Sequence, residues 1–375
     1  MQNVPSNRKF YPMVDVVKFV FSIFIVVLHS FQETSFSSYT PGEASGIFYT
    51  LFTDFFGRMP VAFFFIASSF FLFEKVKRKN TEKEKNEALF SYCKRMLLLY
   101  VIWFVINGFW VFYNHFWILR NSYPIWQIVL MLIRDILLDN GFGSSWFIMA
   151  SILCSIIVFF LSKNKVGKVL CHTLSGLCFF TILLMTWYKF LCPEILQVPF
   201  GWINFLFNRF YVSFPFGLPF FVIGKLISDY KELFFDRIQL RPLLILLAVS
   251  ICALIFEVYL VPVIFYKKFI YVGTNTYLFT PLFAATLFVI CIKITSNEDG
   301  EMSHWMRKFS SLIYFSHKQF LLIAVLLFSK IGLERGSVLF LLVVILFTLI
   351  LSLLLSWLIL LMSNKQKFAF LRNLY

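Results

Sequence analysis

The chain has 375 residues, of which 60% are hydrophobic and only 14% are charged. An ordinary soluble domain has about 25% charged residues, so this composition excludes a soluble protein and predicts a polytopic membrane protein. The formal net charge of +15 could suit nucleic-acid binding. Most of the basic excess lies in short connections between apolar runs, where it sets topology and meets anionic lipid, so we expect no nucleic-acid partner.

Ten apolar runs approach the ~20 residues that a helix needs to cross the core of a bilayer. They are 14–31, 59–74, 93–112, 145–162, 169–191, 210–228, 242–262, 275–294, 310–330 and 337–362. The sequence therefore predicts an all-α fold: a membrane helix bundle of about ten transmembrane helices. We expect one integral-membrane domain over 1–375, with no fused soluble domain.

Lysine and arginine residues in the connections predict the orientation of this bundle. With the N-terminus inside, 23 of them fall in inner segments and nine in outer segments, which favours an N-in, C-in topology. The apolar segment 125–138 is short for a span. If it crossed the membrane, the basic loops at 163–168 and 225–241 would face outward, so we expect an outer-surface or re-entrant helix instead.

Three polar residues share one face of the first predicted span. Lys18 and His29 are eleven residues apart, which is about 20° past three helical turns and about 16 Å along the axis. Asp15 lies three residues before Lys18, so its carboxylate could meet the ammonium. Ionisable residues at membrane depth usually face a water-filled cavity or a partner, which indicates an intramembrane active site. The alternative is that Lys18 snorkels to the headgroups and His29 caps the other end of the span.

Motifs of several common enzyme classes do not occur in the sequence. It has no P-loop, no G-x-G-x-x-G, no G-x-S-x-G and no H-E-x-x-H. Its seven cysteines form no C-x-x-C pair and no spacing typical of metal ligands. We therefore expect no metal site and no bound cofactor.

Six segments together resemble the integral-membrane acyltransferase-3 family, in order and over nearly the whole chain. They are the D-x-x-K-x10-H pattern of Asp15, Lys18 and His29, RMPVAFFFIASSFFLF at 58–73, KRMLLLY at 94–100, SSWFIMA at 144–150, PFGLPFFVIGKLI at 215–227 and SSLIYFSHKQF at 310–320. One departure concerns the family's Phe-Phe-x-x-Ser-Gly segment, where this chain has Ser69 in place of the glycine. That substitution puts a close backbone approach at this point in question.

The resemblance implies a membrane enzyme that transfers an acyl group, usually acetyl, from cytoplasmic acyl-CoA to a hydroxyl of a cell-envelope sugar. The acceptor would be a polysaccharide, a glycolipid or peptidoglycan, and the location would be the bacterial cytoplasmic membrane. Because no outer esterase-like domain is evident, we expect the protein to act alone or with a separate extracytoplasmic transferase or glycan-export partner. A transporter or flippase of a lipid-linked or polymeric sugar is the alternative function.

For this reaction, the first span provides the candidate catalytic residues. An alcohol attacks well only after a base takes its proton, so His29 is the candidate general base or proton shuttle. A transient acyl-imidazole on His29 is an alternative. Lys18 is expected to neutralise a donor phosphate or orient the pantetheine arm, with Asp15 holding its ammonium in position.

Other matched segments supply candidate binding residues. Lys94 and Arg95 could meet the nucleotide end of CoA or serve only as positive-inside anchors. Arg58, just outside the second span, is expected to contact the acceptor or a membrane carboxylate. Ser68 and Trp146 are assigned to donor or acceptor binding.

A second polar cluster is expected within the ninth span. Tyr314 and His317, with Lys318 beside them, could bind donor or acceptor, or form a satisfied hydrogen bond between helices.

Overall fold

The computed structural model describes residues 9–34, 51–138, 145–261, 264 and 276–375. In these residues the fold is all-α, as predicted, and the only β-type pairing is an isolated antiparallel bridge between Phe10 and Ser296. Twelve α-helices form the described structure: Pro12–Glu33 (α1), Met59–Lys77 (α2), Glu82–Phe112 (α3), Ile125–Leu138 (α4), Trp146–Leu161 (α5), Lys165–Met185 (α6), Gln197–Phe207 (α7), Phe214–Asp229 (α8), Leu240–Val261 (α9), Thr280–Lys293 (α10), Glu301–Lys330 (α11) and Val338–Ser363 (α12).

Each of the ten predicted apolar runs coincides with one of these helices. Within the described residues, seven helices are long and apolar enough to cross a membrane, namely α1, α2, α3, α6, α9, α11 and α12. Helix α8 and the helical stretch at 194–212 before it are bent by 50° relative to each other and together could form one further span, while α5 and α10 are shorter apolar helices. The chain is thus a multi-pass membrane protein, and the count of ten and the N-in, C-in topology stay predictions.

Helix α3 begins eleven residues before the apolar run that predicts it. Its first turn forms a capping box: the Thr81 hydroxyl accepts from the Glu84 backbone N–H at 3.2 Å, and the Glu84 carboxylate accepts from the Thr81 and Asn80 backbone N–H groups. Helix α11 likewise begins at Glu301, nine residues before its apolar run. Both extensions put polar helical turns at the end of the bundle where the basic residues lie.

Helix α2 lies at the centre of the bundle and packs most extensively on α8. A Cβ at Gly224 of α8 would lie 2.4 Å from the Ile66 carbonyl oxygen and 2.7 Å from the Ser69 Cβ. Ser69 donates to the Phe221 carbonyl across this contact. The serine at position 69 therefore does not prevent a close helix approach, because the facing helix provides the glycine.

Phenylalanine rings fill the interfaces around α2. Phe63 contacts Phe21 of α1 edge to face at a centroid distance of 5.3 Å, and Phe70 contacts Phe288 of α10 at 5.2 Å. Phe63, Phe70 and Phe288 are fully buried. Edge-to-face pairs of this kind add a modest stabilisation of about 1 kcal/mol to the burial of the rings.

Helix α4 is the short segment expected at the outer surface, and it forms a separate helix beside α3. The Tyr100 hydroxyl of α3 donates to the Ile136 carbonyl at 2.9 Å, and Arg134 donates to the Phe205 carbonyl of α7 at 3.5 Å. These bonds attach α4 to two neighbours. Its position relative to a membrane stays a prediction.

Candidate active site

A cavity of about 920 Å³ opens among α1, α2, α3, α5, α11 and the segment that follows α12. Of the described residues that line it, eight are lysine or arginine and two are acidic. The basic ones are Lys9, Lys18, Lys75, Arg78, Arg95, Arg307, Lys308 and Arg372. Such an excess of positive charge in a cleft attracts anions, and phosphate groups in particular.

Three of the aromatic residues that line the cavity lie close together. They are Phe64 of α2, Phe147 of α5 and Tyr314 of α11, and their ring centroids lie 5.9 to 6.2 Å from one another. Along α11, Tyr314 is seven residues beyond Arg307, which corresponds to about 10 Å of helical rise. Along α11, the lining therefore changes from basic residues, in the part that we call the mouth, to an aromatic group about 10 Å away.

Asp15 makes its strongest contacts with α11. Its carboxylate accepts from the Ser303 hydroxyl at 2.6 Å and from the Arg307 guanidinium at 2.8 to 3.2 Å. Arg307 also pairs with Asp299 at 2.9 Å. The prediction that Asp15 holds the Lys18 ammonium is therefore wrong as a direct contact, although the two charges still interact through space. An arginine that donates to a carboxylate through two nitrogens binds it more strongly than a lysine ammonium does through one hydrogen bond.

Lys18 lines the cavity. No carboxylate of the described chain forms an ion pair with its ammonium. Lys18 and Asp15 both line the cavity, as expected for two residues on one helix face, whereas His29 is not among the lining residues. The Lys18 charge is thus available to an anionic ligand.

His29 stacks on His317 of α11, with 5.2 Å between ring centroids and 20° between planes. The His29 Nδ1 atom lies 3.0 Å from the Gln32 Oε1 atom, so we assign the proton to Nδ1, which leaves Nε2 as the basic nitrogen. The His317 ring centroid is in turn 6.2 Å from that of Tyr314. The histidine pair therefore lies one aromatic ring beyond the lining of the cavity.

His317 is fully buried. Its Nδ1 atom lies 3.2 Å from the Ile313 carbonyl oxygen, and its Nε2 atom has no hydrogen-bond partner in the described part of the chain. A buried ring nitrogen without a partner is costly, so such an atom calls for a functional explanation.

Charged side chains surround the histidine pair. Lys318 pairs with Glu33 at 3.2 Å, and the charges of Lys318 and Arg58 act on His29. Arg58 is buried, with 8% of its surface exposed, and its contact with an acceptor stays a prediction. Sequence reasoning missed Glu33, although its i+4 spacing from His29 places it on the same helix face.

The remaining predicted site residues divide into two groups. Ser68 and Arg95 line the cavity. Lys94 is exposed on α3 and is not part of the lining. The Trp146 ring packs against Phe65 and Phe216 instead, and it is the next residue along, Phe147, that reaches the cavity.

A second charged cluster, formed by His115, Arg134 and Asp135, lies away from the cavity. The His115 Nε2 atom is 3.1 Å from the Asp135 carboxylate, and its Nδ1 atom is 2.9 Å from the Val111 carbonyl oxygen. Arg134 contacts the same carboxylate at 2.9 Å. The hydrogen bond to Asp135 raises the pKa of His115. Since both ring nitrogens face acceptors, the protonated imidazolium satisfies this site fully.

The comparisons with known proteins give one positive result. A family model described as an acyltransferase domain matches residues 11–357, which include α1 to α11 and most of α12. The match also includes the histidine pair and the cavity residues other than Lys9, Phe10 and the segment after α12. No curated protein and no solved structure matches the chain. A match over nearly the whole chain, on a multi-pass helical membrane protein, shows that this protein belongs to the membrane acyltransferase-3 family.

Proposed function

We propose that the protein is an O-acyltransferase that moves an acyl group, acetyl in the simplest case, from cytoplasmic acyl-CoA to a hydroxyl of a cell-envelope sugar. The observation that supports this function best is the gradient of the cavity. Its basic mouth suits the phosphates of CoA, its aromatic residues suit the acyl group, and a histidine pair lies directly beyond.

The donor would enter from the basic mouth. Lys18 and Arg95 face the cavity from two different helices, and Arg307 faces it from a third. Lysine ammonium groups and arginine guanidinium groups that approach from several directions commonly bind a pyrophosphate. In an N-in, C-in topology this mouth opens to the cytoplasm, where acyl-CoA is found.

The reaction itself needs a base for the acceptor hydroxyl. In the proposed step, His29 Nε2 takes the hydroxyl proton while the oxygen attacks the thioester carbonyl carbon. The carbon–sulfur bond then breaks, and the leaving CoA thiolate receives the proton from the imidazolium. General-base catalysis of this kind supplies about 10²- to 10⁴-fold in rate. An acyl-imidazole on His29 would divide the same reaction into two transfers.

Donor binding tests this function directly. We would purify the protein in detergent and measure binding of radiolabelled acetyl-CoA and release of free CoA. Lys18→Ala is expected to weaken binding, because it removes a cavity charge. His29→Ala is expected to bind the donor normally but to release about 100-fold less CoA.

Matched controls are available outside the cavity. Lys168 and His172 are exposed on α6 and do not line the cavity, so Lys168→Ala and His172→Ala should behave as wild type. If the wild-type protein binds no acyl-CoA, the proposal that it transfers an acyl group from acyl-CoA is wrong. Transport of a lipid-linked or polymeric sugar then becomes the leading function.

A further inference from the structure

The segment after α12 turns back into the bundle. Residues Gln366–Leu374 form a 3₁₀ stretch, kinked at Phe368, that packs against α12 and α3. The Trp103 indole N–H of α3 donates to the Leu374 carbonyl at 3.2 Å, and the Tyr375 hydroxyl lies 3.2 Å from the Ser363 hydroxyl. These bonds fix the segment at two points.

One face of this segment forms a wall of the basic cavity. Arg372 and Tyr375 line the cavity, and the Lys308 ammonium lies 5.3 Å from the centre of the Tyr375 ring. Trp103, which holds the segment, stacks at 5.5 Å on Phe315, and Phe315 lines the same cavity. The segment is thus continuous with the proposed donor site.

Among the described residues, one backbone hydrogen bond orients Arg372. Its Nε–H donates to the Ser363 carbonyl at the end of α12, at 3.1 Å. That carbonyl is one of the groups that a helix end leaves without an internal partner. This contact uses Nε and neither of the two terminal amino groups of the guanidinium. Among the described residues, no carboxylate forms an ion pair with Arg372, and the two acidic residues of the cavity, Asp15 and Glu74, pair with Arg307 and Lys231 instead. A guanidinium held by Nε with free amino groups in a cavity is suited to a phosphate.

The family match ends at residue 357, so this segment lies outside the matched region. We propose that residues 366–375 complete the donor site of this protein and that Arg372 binds a phosphate of the CoA donor. The inference rests on the proposed function and adds a binding residue to it. Its physical basis is the fixed, cavity-facing guanidinium, which increases the positive charge of the mouth.

The test is equilibrium binding of radiolabelled acetyl-CoA to the full chain in detergent, at about 0.05 M and about 0.5 M salt. Arg372→Ala should raise the dissociation constant about tenfold at low salt, as expected for one charge-assisted phosphate contact. The effect should shrink at high salt, because Arg372 is exposed enough to be screened. Arg372→Lys should restore part of the affinity.

Lys367→Ala is the matched control, since Lys367 is an exposed cation of the same segment that does not line the cavity. If Arg372→Ala binds as tightly as Lys367→Ala, Arg372 does not contact the donor and the inference is wrong, while donor binding by wild type would keep the proposed function. If Arg372→Ala loses the same affinity for acetyl-CoA at both salt concentrations and Arg372→Lys restores none of it, Arg372 only holds the cavity wall in place and the inference is wrong. Absence of binding by wild type would remove the proposed function and this inference together.

Discussion

The His29 and His317 rings lie face to face, 5.2 Å apart and 20° from parallel, although 288 residues separate them in the chain. Two imidazolium charges at this distance would repel by about 3 kcal/mol at an effective dielectric constant of about 20. The pair therefore favours states with one proton or none. Such a pair can accept a proton from an acceptor hydroxyl without a large rearrangement, which extends the role proposed for His29 to both rings.

The role of His317 is tested by His317→Phe, which keeps an aromatic ring against His29 and removes both ring nitrogens. If His317 takes part in proton transfer, transfer of labelled acetyl groups from acetyl-CoA to envelope material in membrane vesicles should fall about tenfold or more. Acetyl-CoA binding should be unchanged, since His317 does not line the cavity. A wild-type rate in this variant would mean that His317 only supports the His29 ring by packing.

Periodicity along one helix predicts which residues of the first span share a face. Asp15 and Lys18 line the cavity, and His29 lies about 16 Å beyond Lys18 along α1 on the same side of the helix. The ten apolar runs likewise predicted helices in the correct places. Local geometry of this kind depends only on residues that are neighbours in sequence.

The partners of these residues could not be predicted in the same way. Arg307, which binds Asp15, is 292 residues away, and the sequence offered only Lys18 as a local partner for that carboxylate. From its position in the sequence, Arg307 has no expected role other than that of a positive-inside residue in an inner connection. The segment Gln366–Leu374 was also missed, because hydropathy identifies residues that enter lipid and says nothing about a polar segment that folds back onto the bundle.

The contact between α1 and α11 at Asp15 predicts a large effect on stability. Asp15→Asn removes the charge that Arg307 and Ser303 both contact and leaves a partly buried guanidinium without its main partner. We expect the free energy of unfolding to fall by about 2 to 3 kcal/mol, measured by thermal unfolding in detergent.

Asp299→Asn is the matched comparison, because Asp299 contacts the same guanidinium from a more exposed position. Its expected cost is below about 1 kcal/mol, as for other surface ion pairs. Acetyl-CoA binding should weaken with Asp15→Asn, since Arg307 loses its orientation at the cavity mouth. Equal thermal stability of the two variants would contradict the assignment of Asp15 as the principal partner of Arg307.

The cluster of His115, Asp135 and Arg134 predicts a pH-dependent contribution to stability. Asp135 raises the pKa of His115 in the folded protein, while the neighbouring Arg134 charge and burial act in the opposite direction. A group with a raised folded pKa stabilises fully below its unfolded pKa, about 6.5 for histidine, and the contribution is lost as pH rises through the folded value. Wild type, followed from acidic to alkaline pH, should therefore lose thermal stability through this site as the pH rises above about 6.5.

The variant His115→Gln should remove that loss, because glutamine can still donate to the Asp135 carboxylate but does not titrate. We expect wild type to be more stable than His115→Gln at the acidic end by about 1 kcal/mol, and the two to converge at the alkaline end. His172→Gln, at an exposed histidine of α6, should keep the wild-type pH dependence. If the difference between wild type and His115→Gln is the same at every pH, the charged form of His115 does not stabilise the contact between α4 and the end of α3.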